Sequence, residues 1–197
     1  ERHLEAAARQ TAELGELFRK YGLAAAAMLS ITEQITTRVD VDSRGVLLAL
    51  AEAFQAQGRW DEAARRLRWA LERSPEDVGL RLSLAEILIE DRGDPEACQE
   101  VVALAEGIEN LSTLHAAVLL YKGKALHRLE LHTAARDALT ATLRRKKDRP
   151  DDLLKDAGYE RALVYEKLGR KKRARQELEK LYAEDPDFED VAARLGL

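Results

Sequence analysis

Residues 45–77 read GVLLALAEAFQAQGRWDEAARRLRWALERSPED. Leu47, Leu50 and Phe54 recur at helical spacing, Gly58 interrupts them, and Ala63, Leu67, Ala70 and Leu71 form a second apolar stripe that Pro75 stops. The stretch predicts a helix, a short turn, a second helix and a stop. The same template falls on the chain near its C-terminus, where Ala162, Tyr165, Gly169, Ala174, Leu178, Leu181 and Pro186 keep the mutual offsets of Ala51, Phe54, Gly58, Ala63, Leu67, Ala70 and Pro75. Self-similarity of this kind marks an array of stacked units rather than a bundle around one core.

On these residues the chain resembles the tetratricopeptide repeat (TPR) family, about five repeats long. Beyond the two good copies, residues 44–77 and 155–188, three weaker ones fill the chain. Residues 8–41 carry Leu14-Gly15, Phe18, Gly22, Ala27 and Ile31, and residues 78–111 carry Leu84-Ala85, Leu88, Ala97 and Val101. Residues 116–149 carry Leu119, Gly123, Leu126, Ala135, Leu139 and Leu143, with Lys122 where Leu is usual and no turn glycine. An amphipathic segment at 188–195 reads as a capping helix. The resemblance implies an all-α fold: one right-handed α-solenoid of antiparallel helix pairs over residues 1–197, a TPR superhelix with a C-terminal cap. Ala51, Ala63, Ala85, Ala97, Gly123, Ala135, Ala162 and Ala174 then stand where paired helices approach most closely, and bulk there would wedge them apart. Residues 148–152, DRPDD, are the clearest break, with Pro150 ending one helix and Asp151 or Asp152 capping the next.

Composition agrees. Of 197 residues 46% are apolar, only 5% aromatic, and Gly and Pro together number 15, which disfavours a β-sandwich and excludes a disordered chain. A single cysteine, Cys98, permits no internal disulfide and no Cys-x-x-Cys site. The longest apolar stretch, residues 22–31, is too short to span a membrane. The chain opens at Glu1 with neither an initiator Met nor a signal-peptide pattern, and reads as a piece of something longer. Arg outnumbers Lys 22 to 10, compatible with a bacterial cytoplasm, the compartment expected here.

No catalytic signature occurs: GxSxG, HExxH, GxGxxG and GxxxxGK[ST] are all missing. Residues 40–45 begin like a calcium loop, but Arg44 takes a ligand position and Ala51 stands where a bidentate Glu is required. His3, His115, His127 and His132 lack the i, i+4 spacing of a metal pair. Cys98 reads as an inert, partly buried thiol, and Arg92-Gly93-Asp94 as a turn that wants glycine. Neither enzyme activity, a metal nor a cofactor is expected.

Charge divides unevenly. Residues 1–111 hold 13 basic and 21 acidic side chains, whereas residues 112–197 hold 19 and 15. The runs at 144–147, RRKK, and 170–173, RKKR, could contact phosphates, but no aromatic interleaves them and the chain is net −4. Nucleic acid is the less favoured partner.

In the resembled family the first helix of each repeat lines a concave groove that binds peptides or helices of other proteins. Carried over by position, the groove residues are Leu48, Glu52 and Gln55; Leu82, Glu86 and Ile89; Leu120, Tyr121, Lys124 and His127; and Tyr159, Glu160, Leu163 and Glu166. Tyr121 and Tyr159 would be its aromatic anchors; the competing reading is that some of the apolar members pack against a neighbouring helix. A Lys-Asn-Arg carboxylate clamp is missing, since the corresponding positions hold Leu48, Glu52, Ser83 and Tyr121 and the one Asn, Asn110, lies in a loop. The expected function is a protein-interaction scaffold gripping an internal peptide or amphipathic helix. The alternative is a regulatory or substrate-recruiting arm of a larger enzyme or assembly. Self-association through the first repeat, which lacks a polar cap, stays open.

Overall fold

Two helices can cross closely only where a side chain is small, and all eight small positions read from the repeat are buried. The structure, a computed structural model, describes residues 26–32, 35–40 and 43–197. They fall into two compact units dividing between Ile87 and Leu88.

The first unit contains β1 (Ala26–Thr32), β2 (Ile35–Asp40), α1 (Ser43–Gln55), α2 (Trp60–Leu71) and α3 (Val78–Ile87). The hairpin corrects the sequence reading. Repeat 8–41 expects Ala27 and Ile31 in a second helix, but β1 pairs antiparallel with β2, running from Ala26 opposite Asp40 to Thr32 opposite Ile35. The reason lies in the side chains. Ile31, Thr32, Ile35, Thr36, Thr37 and Val39 are β-branched. Burial alternates with period two: Leu29, Ile31 and Val39 point inward while Met28, Ser30 and Arg38 are exposed. Leu14, Gly15, Phe18 and Gly22 lie outside the described residues.

Beyond the hairpin the helical pattern holds. Phe54 and Leu67 are buried, whereas Leu50 and Leu71 are only half-buried. Asp77 caps α3 by accepting from the Leu80 amide at 3.0 Å, and the same carboxylate receives the Arg44 guanidinium from α1. One residue thus satisfies an orphan helix donor and links two helices.

The second unit opens with a π-helical turn (Leu88–Arg92), followed by α4 (Pro95–Leu104), α5 (Thr113–Arg128), α6 (His132–Leu143), α7 (Asp151–Lys167), α8 (Lys171–Glu184) and the short α9 (Val191–Leu195). Gly58 and Gly169, matched in the two good repeats, both turn the chain at φ near +69° (+68° and +69°). The degenerate repeat 116–149 places Glu130 at the equivalent turn with φ +60°, a left-handed conformation that costs a side chain about 1–2 kcal/mol. Asp94 caps α4 through the Ala97 amide at 2.8 Å. At the start of α7 the cap position is Pro150; Asp151 and Asp152 sit in the first turn, where their charge favours the helix dipole without capping it.

Asn110, a loop residue in sequence, is a staple. Its Nδ2 donates to the carbonyls of Ala141 and Thr142, both at 2.8 Å, and its Oδ1 accepts from Arg149 at 3.0 Å. It supplies a donor to two carbonyls in the last turn of α6, where Ala141 otherwise accepts only a long 3.4 Å bond from the Arg144 amide. At the other end α9 sets Val191 into a cluster with Ala162, Leu178 and Leu181.

A tight crossing lies between α5 and α6. A Cβ placed on Gly123 would stand 2.5 Å from two carbons of Leu139, whereas one on Gly158 would meet Leu181 at an ordinary 3.7 Å. Alanine at either site gains about 1 kcal/mol of helix propensity, but at Gly123 overpacking of about 1–3 kcal/mol opposes it. Gly123→Ala is therefore expected to lower the urea midpoint and Gly158→Ala to raise it; equal shifts in one direction would refute the close crossing.

Candidate partner-binding site

Helical periodicity sets Tyr121, Lys124 and His127 in a row on α5, and Asp156, Tyr159 and Glu160 in a row on α7. The two rows meet. Lys124 Nζ lies 2.9 Å from Asp156 Oδ2 and 3.8 Å from Glu90 Oε1, the latter carried by the π-helical turn. One turn further along, His127 Nδ1 lies 3.1 Å from Glu160 Oε2. His127 also packs edge-on against the ring of His132 at 5.6 Å between centroids, and His132 Nδ1 is buried without a hydrogen-bond partner. The Tyr121 ring lies beneath this network, 5.4 Å from Lys124 Nζ.

Electrostatics at this spot are acidic. Burial works to lower the Lys124 pKa, but Asp156, Glu90 and Glu160 outweigh it and the ammonium is held above its ordinary range. For Asp156, burial is the largest influence and raises the carboxyl, Lys124 pulls it back, and Glu160 and Glu90 push it up again. Three carboxylates thus converge on one ammonium and one imidazole.

Not every residue assigned to the groove is available to a ligand. Leu48, Leu82, Ile89, Leu120 and Tyr121 are each at most 2% exposed. That corrects their reading as ligand surface: they are packing residues, and Tyr121 is not an anchor. Burial takes these side chains out of reach of a ligand. Glu52, Gln55 and Glu86 in the first unit are half-buried, as are Lys124, His127, Tyr159, Glu160 and Leu163 in the second, and Glu166 is exposed.

Part of the row is covered by the chain itself. Tyr159 Oη donates to Asp190 Oδ1 at 2.5 Å and its ring meets Phe188 edge-on at 5.9 Å. Burial, with acceptance by Asp190, pushes the Tyr159 phenol up to about 12. Arg194 on α9 donates to Glu166 at 2.8 Å. Beside the covered part lies the polar patch of Lys124 and His127 on α5, Asp156 and Glu160 on α7 and Glu90 on the π-helical turn, of which Glu90 is half exposed and the others largely buried. Glu90 and Asp156 escaped the sequence reading; Asp156 was findable, three and four residues before Tyr159 and Glu160 on the same face.

Among the described residues no group of His, Cys, Asp and Glu could hold a metal ion, and no helix is long and apolar enough to cross a membrane. Cys98 is buried, and burial pushes its thiol up, away from nucleophilic reactivity.

Repeated helix pairs with small residues at their crossings define a helical-repeat protein. More particularly, residues 1–195 match the model for "T7SS, ESX-1 secretion system protein EccA1, N-terminal domain", and the chain belongs to that family. Among solved structures, the N-terminal domain of the EccA1 ATPase from the ESX-1 secretion system of Mycobacterium tuberculosis superposes with a TM-score of 0.66 at 20% identity, covering 98% of this chain and 70% of that one. Two MamA crystal structures give 0.57 at 24% identity, over 74% of this chain and 80% of that one, and 0.59 at 23%, over 77% and 78%. These likenesses are of fold. No curated protein sequence matches the chain.

Removing the central ammonium tests the electrostatics. Lys124→Met leaves Asp156, Glu90 and Glu160 facing one another and is expected to cost about 2–3 kcal/mol at pH 7, somewhat less than a fully buried pair because both partners keep some exposure. Without Lys124 the Asp156 pKa rises further above its unfolded value, and the native state then binds protons more tightly than the unfolded one. The deficit must therefore shrink as pH falls from 7 toward the ordinary carboxylate range. Urea unfolding at pH 7 and pH 5 reads this, and a deficit equal at both overturns the assignment.

Proposed function

We propose that the chain is the non-catalytic interaction arm of a larger secretion ATPase, gripping a segment of another protein through the partly exposed polar face formed by α5, α7 and the π-helical turn. Its family and its helical-repeat fold support the module; the excess of carboxylates around Lys124 supports the mode of recognition. Glu90, half exposed, and Glu160 at the patch edge keep acceptor capacity that Lys124 and His127 do not use up. A Lys or Arg from a partner helix or extended segment completes the charge balance. Such charge pairing sets register and encounter rate more than raw affinity. Because the apolar groove residues are buried, recognition here is polar, in place of the aromatic-anchored groove that the family resemblance implies.

The test needs the partner in hand. Affinity capture with the chain as bait identifies it, and calorimetric titration against the double variant Glu90→Lys/Glu160→Lys then measures the face. Affinity is expected to fall at least tenfold, about 1.4 kcal/mol, and to recover when the partner's contacting basic residue is exchanged for Glu. Unchanged affinity overturns the assignment to this face.

A further inference from the structure

The second unit carries a second feature of opposite sign. A cleft of about 690 Å³ opens among α6, α7 and α8 and the segment following α6. Leu143, Leu154 and Leu181 supply its apolar wall, beside Gly158, whose missing side chain leaves the space open.

Its charged wall is incompletely paired. Lys155 is held by Asp185 at 2.9 Å and Asp152 at 3.2 Å, and Arg161 by Glu177 at 2.7 Å, although Arg161 Nε is buried without a hydrogen-bond partner. Lys146 and Lys180 differ: both line the cleft with exposed side chains, one from the segment after α6 and one from α8. The Lys180 charge beside it holds Lys146 below the ordinary lysine range, although Glu184 and Glu177 oppose the effect. An oxyanion seated between the two ammonium groups converts that repulsion into two charge-assisted hydrogen bonds.

Size and lining decide what kind of anion. The volume lies in the range that encloses a whole organic ligand, far beyond a single ion. An apolar wall of three leucines rewards a carbon body. No aromatic side chain lines the cleft, so bases have nothing to stack on. Asp151, Glu177 and Glu184 in the wall disfavour a dense run of phosphates. We infer that the α6–α8 cleft is a docking site for a short acidic peptide segment of a partner protein, one carboxylate bridging Lys146 and Lys180 and an apolar side chain lying on Leu143, Leu154 and Leu181. This site is separate from the acidic patch on α5 and α7, and either can fail without the other.

Fluorescence anisotropy with a fluorescein-labelled DELEDL peptide tests it on the intact chain, with KRLKRL and a dT 12-mer as counter-probes. Saturable binding of DELEDL is expected, at least tenfold weaker in K146M/K180M, retained in K146R/K180R and unchanged in K147M, whose site lies outside the cleft. Circular dichroism and the melting temperature of each variant separate loss of the site from loss of fold, and the arginine pair keeps the test decisive should the methionine pair unfold. Absence of saturable DELEDL binding, equal binding by K146M/K180M in a folded state, or tighter binding of the dT 12-mer each overturns the inference.

Discussion

The contact of Leu139 with the bare backbone at Gly123 is the constraint on which the second unit turns. With no Cβ on α5, α6 can seat a full leucine against the neighbouring helix, and that approach sets where α5 presents its opposite face. Ala162, Ala174, Ala51 and Ala63 perform the same office in the two well-formed repeats. Since close packing tolerates neither a void nor an extra methylene cheaply, these positions hold the geometry while most others are free to vary. That freedom explains how a chain can share its fold with proteins of 20–24% identity.

Function grows out of the same periodicity. Lys124 and Asp156 lie 32 residues apart, and His127 and Glu160 lie 33 apart, close to one repeat, so consecutive first helices bring their polar side chains into register. Partial burial then amplifies each charge: the ammonium is held above its ordinary range only because several carboxylates offset its desolvation. The α6–α8 cleft has the opposite character, with cationic side chains, lysine and arginine together, in excess of carboxylates. A single small unit thus offers surfaces of both signs, a distribution that the modest net charge of −4 conceals.

Several features were legible in the residues but were outvoted. The hairpin announces itself in the alternation of Leu29, Ile31 and Val39 with polar neighbours and in the β-branched run from Ile31 to Val39, yet Ala27 and Ile31 also satisfy helical repeat offsets, and the longer pattern prevailed. Asn110 looked like an ordinary loop residue because the carbonyls it binds, at Ala141 and Thr142, lie thirty-one and thirty-two residues away. Glu130 occupies a left-handed turn that only Gly advertises openly.

From the sequence alone came the helix pairs, their turns and the positions where they cross, because these depend on local spacing and side-chain size, which period and composition report directly. The tertiary structure alone decided which groove residues face outward. Leu48, Leu82, Leu120 and Tyr121 satisfy the helical pattern for a binding row as well as Lys124 and Glu160 do, but burial is a property of what packs against a helix, which the spacing within that helix does not report.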